Sequence, residues 1–262
     1  MSGAAERLRG TRALVTGGGS GIGRATSLRL AAEGARVLVT DLDPEGARAT
    51  AEEIVGAGGS ATSAVLDVSG DVDARLPELI ADHLVEVDAL VNNAGVGVAG
   101  TILETEIEDW RRLFSVNVDG VLRCTRAVLP GMLERGAGAI VNVASVAGIT
   151  GLTNRFAYCA TKGAVVSMTR ALALDYAGTG VRANCVCPGT VDTPWVEGMA
   201  AGAPDRELFW SEMAARQPLG RLGTADEVAA AIAFLCSADS EFMTGSALVV
   251  DGGLTAGVPR RR

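Results

Sequence analysis

A glycine-rich segment between a strand pattern and a helix pattern constrains the fold of this chain more than any other feature. Residues 12–16, Arg-Ala-Leu-Val-Thr, are typical of a buried strand, and residues 24–33 carry helical apolar spacing closed by Gly34. Residues 17–23, Gly-Gly-Gly-Ser-Gly-Ile-Gly, connect the two patterns. A glycine turn that leads into a helix leaves backbone N–H groups free at the helix start, where they can bind a pyrophosphate. The context therefore predicts a dinucleotide-binding strand-turn-helix unit.

The same alternation of strand and helix patterns continues to the end of the chain. Further strands are predicted at residues 36–40, 61–66, 88–92, 139–144, 181–187 and 247–251, and further helices at 45–55, 106–130, 158–176 and 226–236. Such alternation predicts an α/β fold, a parallel sheet with helices on both faces. No linker rich in Pro, Gly or Ser divides the chain, so residues 1–262 are expected to form a single domain.

Composition excludes several classes of function. The formal charge of −8 provides no basic stripe for nucleic acid, and no apolar run approaches the ~20 residues of a membrane span. The first residues also lack the apolar core of a signal peptide, which favours a soluble, cytoplasmic protein. The five cysteines form no C-x-x-C pair and His83 is the only histidine, so neither a metal site nor a histidine-based triad is expected unless His83 itself takes part.

Acidic residues follow the second and third predicted strands. Asp41 ends the second strand, where its carboxylate can accept hydrogen bonds from an adenosine ribose and repel a 2′-phosphate, so NAD is favoured over NADP. Asp41 could also cap the helix that begins near Pro44. Asp67 and Val68 follow the third strand, where they are placed to touch the adenine.

A hydroxyl, a phenol and an ammonium occur close together in residues 145–162. Tyr158 and Lys162, the only lysine in the chain, are four residues apart and would project from one face of a helix. An ammonium roughly 4 Å from a phenol, at an effective dielectric constant of ~20, would lower the phenol pKa from ~10 by about 3 units. The tyrosine could then act as an acid or base near neutral pH, with Ser145 beside it at the end of a strand. The same Tyr-x-x-x-Lys spacing also arises by chance on helices.

Two other segments call for an explanation. Asn117 lies in an otherwise apolar stretch of the helix predicted at 106–130, and burying its amide without partners would cost about 1–3 kcal/mol. Residues 192–220 are rich in small residues, methionine and tryptophan and precede the last helix, so they are predicted to form a loose lid over a substrate.

These residues together resemble the short-chain dehydrogenase/reductase family over nearly the whole chain. The resemblance is carried by Thr16-Gly17-Gly18-Gly19-Ser20-Gly21-Ile22-Gly23, Asp67, Asn92-Asn93-Ala94-Gly95, Asn117, Ser145, Tyr158-x-x-x-Lys162 and Pro188-Gly189-Thr190. It implies a Rossmann-like three-layer αβα sandwich with a seven-stranded parallel sheet. It also implies an NAD(P)-linked oxidoreductase acting on a secondary alcohol or ketone, and a homotetramer.

The resemblance further implies roles for individual residues. Tyr158 would be the general acid/base, Ser145 would hydrogen-bond the substrate oxygen, and Lys162 would lower the pKa of Tyr158 and hold the nicotinamide ribose. Asn117 would anchor a water that relays protons beyond Lys162. The implied NAD-binding residues are Gly17, Ser20, Gly21, Ile22, Gly23, Asp41, Asp67, Val68, Asn93, Ala94, Gly95, Tyr158, Lys162, Pro188, Gly189, Val191 and Thr193.

The substrate is less constrained than the cofactor. Residues 154–158 and 184–194 are similar to family members that oxidise small hydroxy acids such as hydroxybutyrate, or keto-deoxy sugar acids, in which arginines bind a carboxylate; Arg155 is the candidate here. The apolar residues of the predicted lid instead favour a larger apolar alcohol or ketone, or pack the lid or a subunit contact; they are Trp195, Met199, Phe209, Trp210 and Met213. An NADP-linked ketoreductase of 3-oxoacyl or other biosynthetic type, and an inactive NAD-binding regulatory protein, are the alternative functions.

Overall fold

Strands and helices alternate along the part of the chain that the computed structural model describes, residues 6–257. The strands are β1 (Arg12–Thr16), β2 (Arg36–Asp41), β3 (Ser60–Val65), β4 (Ala89–Asn92), β5 (Gly138–Val143), β6 (Val181–Pro188), β7 (Val191–Asp192), β8 (Gly223–Thr224) and β9 (Ala247–Val250). Within these residues, seven strands form one parallel sheet in the order β3-β2-β1-β4-β5-β6-β9, and β7 pairs separately with β8. The predicted seven-stranded parallel sheet is confirmed.

Helices cover both faces of this sheet. They are α1 (Gly21–Ala32), α2 (Pro44–Gly56), α3 (Val72–His83), α4 (Ile107–Phe114), α5 (Gly120–Arg135), α6 (Phe156–Asp175), α7 (Pro194–Ala201), α8 (Arg206–Ala215) and α9 (Ala225–Cys236). Side chains of α1, α2 and α9 share one core with the sheet, and side chains of α3, α5 and α6 share the other. The three-layer αβα sandwich follows from this arrangement.

The strands are apolar on both faces because each face is covered by helices. Leu38, Leu14, Leu90 and Ile140 are in register across β2, β1, β4 and β5, and all four are completely buried in the core beside α3 and α5. The alternate strand positions, among them Val15, face the opposite core. Truncating any one of these leucines to alanine would cost about 2–5 kcal/mol of stability.

The strand order creates a crevice at the carboxyl end of the sheet. From β1 the chain proceeds outward to β2 and β3, and then returns to place β4 on the other side of β1. In open parallel sheets, ligands bind at the carboxyl ends of the strands where the order reverses in this way. The crevice therefore lies between the ends of β1 and β4.

Two predicted segments differ from the structure. The helix predicted at 106–130 is divided into α4 and α5 by a π-helix at Ser115–Asp119, and it extends to Arg135. The segment predicted to be loose, 192–220, contains α7 and α8; Pro194 begins α7, and the Asp205 carboxylate caps α8 by accepting from Leu208 N. No helix within residues 6–257 is long and apolar enough to cross a membrane.

Candidate active site

A cavity of about 630 Å³ lies at the carboxyl ends of the strands, within the size range of small-molecule sites. The predicted site residues that line it are Gly17, Ser20, Gly21, Ile22, Asp41, Asp67, Val68, Asn93, Ala94, Gly95, Ser145, Arg155, Tyr158, Lys162, Pro188, Gly189, Val191, Thr193, Trp195 and Met199. They come from α1, α6 and α7 and from the carboxyl ends of seven strands, β1 to β7, or the loops that follow them. The fold thus brings most of the predicted cofactor, acid/base and substrate residues to one place.

Gly23, Asn117 and Trp210 do not line the cavity. Gly23 packs against the turn, because a β-carbon there would lie 1.9 Å from the Gly17 carbonyl oxygen. Trp210 packs edge-on against Phe209, with 5.7 Å between ring centroids, so the prediction that it lines the substrate pocket is corrected. Phe209 does not line the cavity either, whereas Met213 on α8 and Arg216, just after α8, do.

The glycine turn presents the start of α1 to the cavity. Gly17 and Gly21 adopt left-handed backbone conformations, with φ of +62° and +50°, which glycine tolerates best. Ser20 is the N-cap residue of α1, but its side chain makes no capping hydrogen bond. The amide groups of the first turn therefore remain available for an anion, as a dinucleotide pyrophosphate requires.

The Asp41 carboxylate is held at the end of β2 by two backbone amides. Its Oδ2 accepts from Gly19 N at 2.9 Å and its Oδ1 from Asp43 N at 3.0 Å. The cap of α2 is Asp43, which accepts from Glu45 N and Gly46 N, so the alternative that Asp41 caps this helix is wrong. A fixed carboxylate bordering the cavity suits the ribose hydroxyls of NAD.

Two other polar side chains organise the neighbouring loops. Asn93 Nδ2 donates to the carbonyl oxygens of Thr16 and Gly17, at 3.0 and 2.9 Å, and so ties the end of β4 to the glycine turn. Asp67 Oδ1 accepts from Ser69 N and Ser69 Oγ, at 2.8 and 2.6 Å. These hydrogen bonds from Ser69 hold the pKa of Asp67 below its usual value.

Tyr158 and Lys162 lie on the first turns of α6, with Lys162 Nζ 5.7 Å from the centroid of the Tyr158 ring. Lys162 is 5% exposed and donates to the carbonyl oxygen of Val143 at 2.8 Å. Burial lowers the pKa of Lys162 to about 8. Burial raises the pKa of Tyr158 to about 12, while a hydrogen bond with Ser145 and the charge of Arg155 act in the opposite direction. The sequence predicts a lowered pKa for Tyr158, whereas the structure raises it, because the loss of hydration outweighs the charge of Arg155.

Ser145 lies just beyond the end of β5, beside Tyr158. Its backbone is extended, and its Oγ accepts from Ala147 N at 3.1 Å, which caps a short 3₁₀ turn at Val146–Gly148. The hydroxyl borders the cavity although the residue is only 8% exposed. It can donate its proton to an oxygen bound in the cavity.

Asn117 lies in the π-helix and is fully hydrogen-bonded. Its Oδ1 accepts from Val96 N at 2.8 Å, and its Nδ2 donates to Val96 O and Thr161 Oγ1 at 2.8 and 3.1 Å. These bonds explain the buried amide and connect the loop after β4 to α6. A β-carbon at Gly95 would lie 3.3 Å from Asn117 Oδ1 and 3.5 Å from Lys162 Nζ, so the two side chains border the same glycine. The water relay that the family resemblance implies for Asn117 would be a role additional to these hydrogen bonds.

Several lining residues are absent from the sequence prediction. They include Arg112, Val146, Leu152, Val196 and Arg216. Met213 and Arg216 are three residues apart, a spacing that places both on one face of a helix. That helical spacing would identify Arg216 as a lining residue beside Met213, but residues 192–220 are predicted from the sequence to be loose.

Comparisons with known proteins agree with this architecture. Residues 17–255 match the family model described as Enoyl-(Acyl carrier protein) reductase. The chain is 43% identical over 249 residues to 2-keto-3-deoxy-L-fuconate dehydrogenase of Xanthomonas campestris, covering 94% of this chain and 81% of the relative. It is 44% identical over 246 residues to meso-2,3-butanediol dehydrogenase of Serratia marcescens, covering 93% and 94%.

A solved structure is similar over the same length. It is a provisionally named NAD(P)-dependent gluconate 5-dehydrogenase of Beutenbergia cavernae with NADP bound at low occupancy. It superposes with a TM-score of 0.90 at 38% identity and covers 97% of this chain and 100% of that one. From the parallel sheet, the strand-end cavity and these matches, we conclude that the chain belongs to the short-chain dehydrogenase/reductase family.

Proposed function

We propose that this protein is an NAD-dependent dehydrogenase that interconverts a secondary alcohol and its ketone. The observation that carries the proposal is that Ser145, Tyr158 and Lys162 line the same cavity as the glycine turn and Asp41. A cofactor held with its pyrophosphate at α1 and its adenosine ribose at Asp41 would extend toward Tyr158. The relatives from Xanthomonas and Serratia, both named as dehydrogenases, support this assignment.

The chain's own residues supply binding and proton transfer. A bound NAD⁺ would supply the acceptor for the hydride of the carbinol carbon. In its phenolate form, Tyr158 takes the hydroxyl proton while the carbinol C–H bond breaks, and Ser145 hydrogen-bonds the substrate oxygen. Because burial raises the pKa of Tyr158 to about 12, this form becomes more abundant as pH rises, so oxidation is expected to be faster at alkaline pH. Lys162 favours the phenolate through its positive charge and would hold the nicotinamide ribose. In the reverse direction Tyr158 returns the proton to the ketone oxygen.

Asp41 supports NAD in preference to NADP. Its carboxylate is fixed by Gly19 N and Asp43 N, and a 2′-phosphate in its place would meet a like charge. The NADP bound to the Beutenbergia protein favours the second candidate, an NADP-linked ketoreductase. The two candidates differ in the ratio of kcat/KM values for the two cofactors.

Cofactor preference is tested by measuring initial rates at the absorbance band of reduced nicotinamide. We expect the wild type to prefer NAD over NADP by at least about 100-fold, since placing a 2′-phosphate against the like charge of Asp41 costs several kcal/mol. Asp41→Ala combined with Leu42→Arg should reverse or abolish that preference, because Leu42 is exposed beside Asp41 and its replacement can bind a 2′-phosphate.

The matched control is Leu42→Arg alone, which should keep the preference for NAD because the Asp41 carboxylate remains. A wild type that prefers NADPH would contradict the role given to Asp41 and favour the ketoreductase. NADH binding with no turnover of any alcohol or ketone would contradict the enzyme and favour the regulatory alternative.

A further inference from the structure

Lys162 is a buried amine without a counter-charge. Within residues 6–257 its Nζ forms one hydrogen bond, to the carbonyl oxygen of Val143 at 2.8 Å, and no salt bridge with any Asp or Glu. An ammonium has three N–H donors, so most of its hydrogen-bonding capacity is not used by these residues. A buried charge without a partner is costly, and burial accordingly lowers the pKa of Lys162 to about 8.

The amine is accessible from the cavity although the residue is buried. Lys162 lines the cavity together with Gly95, Ser145 and Tyr158. A β-carbon at Gly95 would lie only 3.5 Å from Lys162 Nζ, so the missing side chain leaves room beside the amine on the cavity side. A small molecule that enters the cavity can therefore approach Nζ.

The groups around the amine suit carbonyl chemistry. Tyr158 lies one helical turn before Lys162, with its ring centroid 5.7 Å from Nζ. Because burial raises the pKa of Tyr158 to about 12, its phenol is protonated near neutral pH and can donate a proton. Ser145 provides a second hydroxyl on the same wall. A neutral amine beside a proton donor is what imine formation requires, since the nitrogen attacks a carbonyl carbon and the carbonyl oxygen must be protonated to leave.

We propose that Lys162 is a covalent modification site for small aldehydes and ketones, which form an imine with its Nζ. The nitrogen lone pair forms a bond to the carbonyl carbon, while the carbonyl oxygen takes a proton from Tyr158 and the nitrogen returns one. The C–O bond then breaks as water leaves with a second proton, and the nitrogen loses its last proton as the C=N bond forms. One amine and one carbonyl compound give one imine and one water, so no oxidant or reductant takes part.

Reductive labelling tests this proposal, because Lys162 is the only lysine in the chain. The protein is incubated with butanal and cyanoborohydride at pH 7, where hydride from the reagent converts an imine into a stable butylamine, and the butyl group is located by mass spectrometry of peptides. Arg48→Lys, which adds a lysine at an exposed position on α2, provides a reference amine in the same molecule.

We expect Lys162 to be labelled at least about 10-fold faster than the lysine introduced at position 48. At pH 7 the neutral fraction of an amine with a pKa of about 8 is about 300-fold that of an ordinary lysine, which leaves a margin for the narrower access. Labelling at Lys162 that is equal to or slower than labelling at position 48 would overturn the proposal.

The pH dependence of acetylation gives an independent measurement. Acetic anhydride at trace concentration reacts with a neutral amine without forming an imine. Its rate at Lys162 should reach half of its maximum near pH 8, whereas the rate at position 48 should continue to rise toward pH ~10.5. The same half-maximum at both positions would overturn the proposal, and so would acetylation of Lys162 without any labelling by butanal.

Protection by NAD⁺ separates this inference from the proposed function, on which only the protection depends. Lys162 would hold the nicotinamide ribose, so saturating NAD⁺ should slow butanal labelling of Lys162 by at least about 10-fold and leave position 48 unchanged. Fast labelling that NAD⁺ does not slow would support the modification site and contradict the proposed placement of the cofactor. Slow labelling in a protein that oxidises alcohols with NAD would overturn the modification site alone.

Discussion

At Tyr158, hydration and charge act on the phenol in opposite directions. Burial raises its pKa to about 12, and the hydrogen bond with Ser145 and the charge of Arg155 only partly compensate. The sequence could place Tyr158 and Lys162 on one helix face, because four-residue spacing fixes that geometry. It could not give the sign of the pKa change, because that depends on how completely β5 and α7 remove water from both groups.

Lys162 offers a direct test of its burial. Below pH 8 the ammonium is charged in both folded and unfolded chains, and burying it costs about 3 kcal/mol at 1.36 kcal/mol per pKa unit. Between pH 8 and 10.5 the unfolded chain binds more protons than the folded one, so this cost decreases as pH rises. Lys162→Met should therefore gain stability relative to wild type at pH 7 and lose most of that advantage by pH 9.5.

Urea unfolding at the two pH values measures this difference. The Val143 carbonyl loses its donor in the variant at both pH values, so the change with pH isolates the titration of Lys162. A difference in unfolding free energy that does not depend on pH would mean that Lys162 is not held with a lowered pKa.

At the scale of elements, the π-helix between α4 and α5 depends on contacts that are distant in sequence. Asn117 reaches Val96 and Thr161, which lie 21 and 44 residues away along the chain. Local spacing predicts one continuous helix because the apolar pattern barely changes across the interruption. The seven strands of the sheet were predictable to within one residue at each end, since continuous apolar runs bounded by polar residues specify buried parallel strands, whereas the short β7 and β8 were not predicted.

Replacing Asn117 tests whether its amide holds these elements together. Asn117→Leu removes three hydrogen bonds and leaves buried partners unsatisfied, so we expect a loss of about 3 kcal/mol in unfolding free energy together with reduced turnover. Ser115→Ala, in the same π-helix, is the control and should change stability by less than about 0.5 kcal/mol. Reduced turnover at unchanged stability would instead support a role confined to proton relay.

At the scale of the whole molecule, an ion-pair cluster around the buried Glu33 connects residues that are far apart in the sequence. Glu33 accepts from Arg7 Nη2 at 2.7 Å and also pairs with Arg29, while Arg7 Nη1 reaches Asp239 at 3.1 Å. The Glu33 side chain is only 4% exposed. Burial raises its pKa, but the hydrogen bonds from Arg7 and Arg29 outweigh burial and lower the pKa overall. The cluster therefore stabilises the fold near neutral pH.

Acid unfolding tests this cluster. Because the folded pKa of Glu33 is below its unfolded value of 4.5, the stabilisation is present above pH 4.5 and is lost as pH falls through the folded pKa. Glu33→Gln should cost about 3 kcal/mol at pH 7 and progressively less below pH 4.5. Glu53→Gln, which breaks an exposed pair with Arg24, should cost less than about 1 kcal/mol. Equal effects of the two variants at pH 7 would contradict the role of the buried cluster.

The sheet, the cofactor half of the cavity and three of its substrate-side residues, Arg155, Trp195 and Met199, could be predicted from the sequence, whereas Arg216 could not. The glycine turn and Asn93 directly follow a strand and Asp41 ends one, so their position at the strand ends follows from the alternation of elements. Arg216 follows α8, whose packing over the cavity is set by tertiary contacts. The homotetramer implied by the family resemblance stays a prediction, which light scattering in solution can check.

The central claim is that Tyr158 transfers the substrate proton in an intact NAD site. The most direct measurement compares Tyr158→Phe with wild type in both NADH binding and alcohol oxidation. The variant should bind NADH with unchanged affinity and lose turnover by about 10²–10⁴-fold, the range for a positioned acid/base. Turnover near the wild-type value in Tyr158→Phe would contradict the account, and loss of NADH binding would show that Tyr158 supports the structure of the site instead.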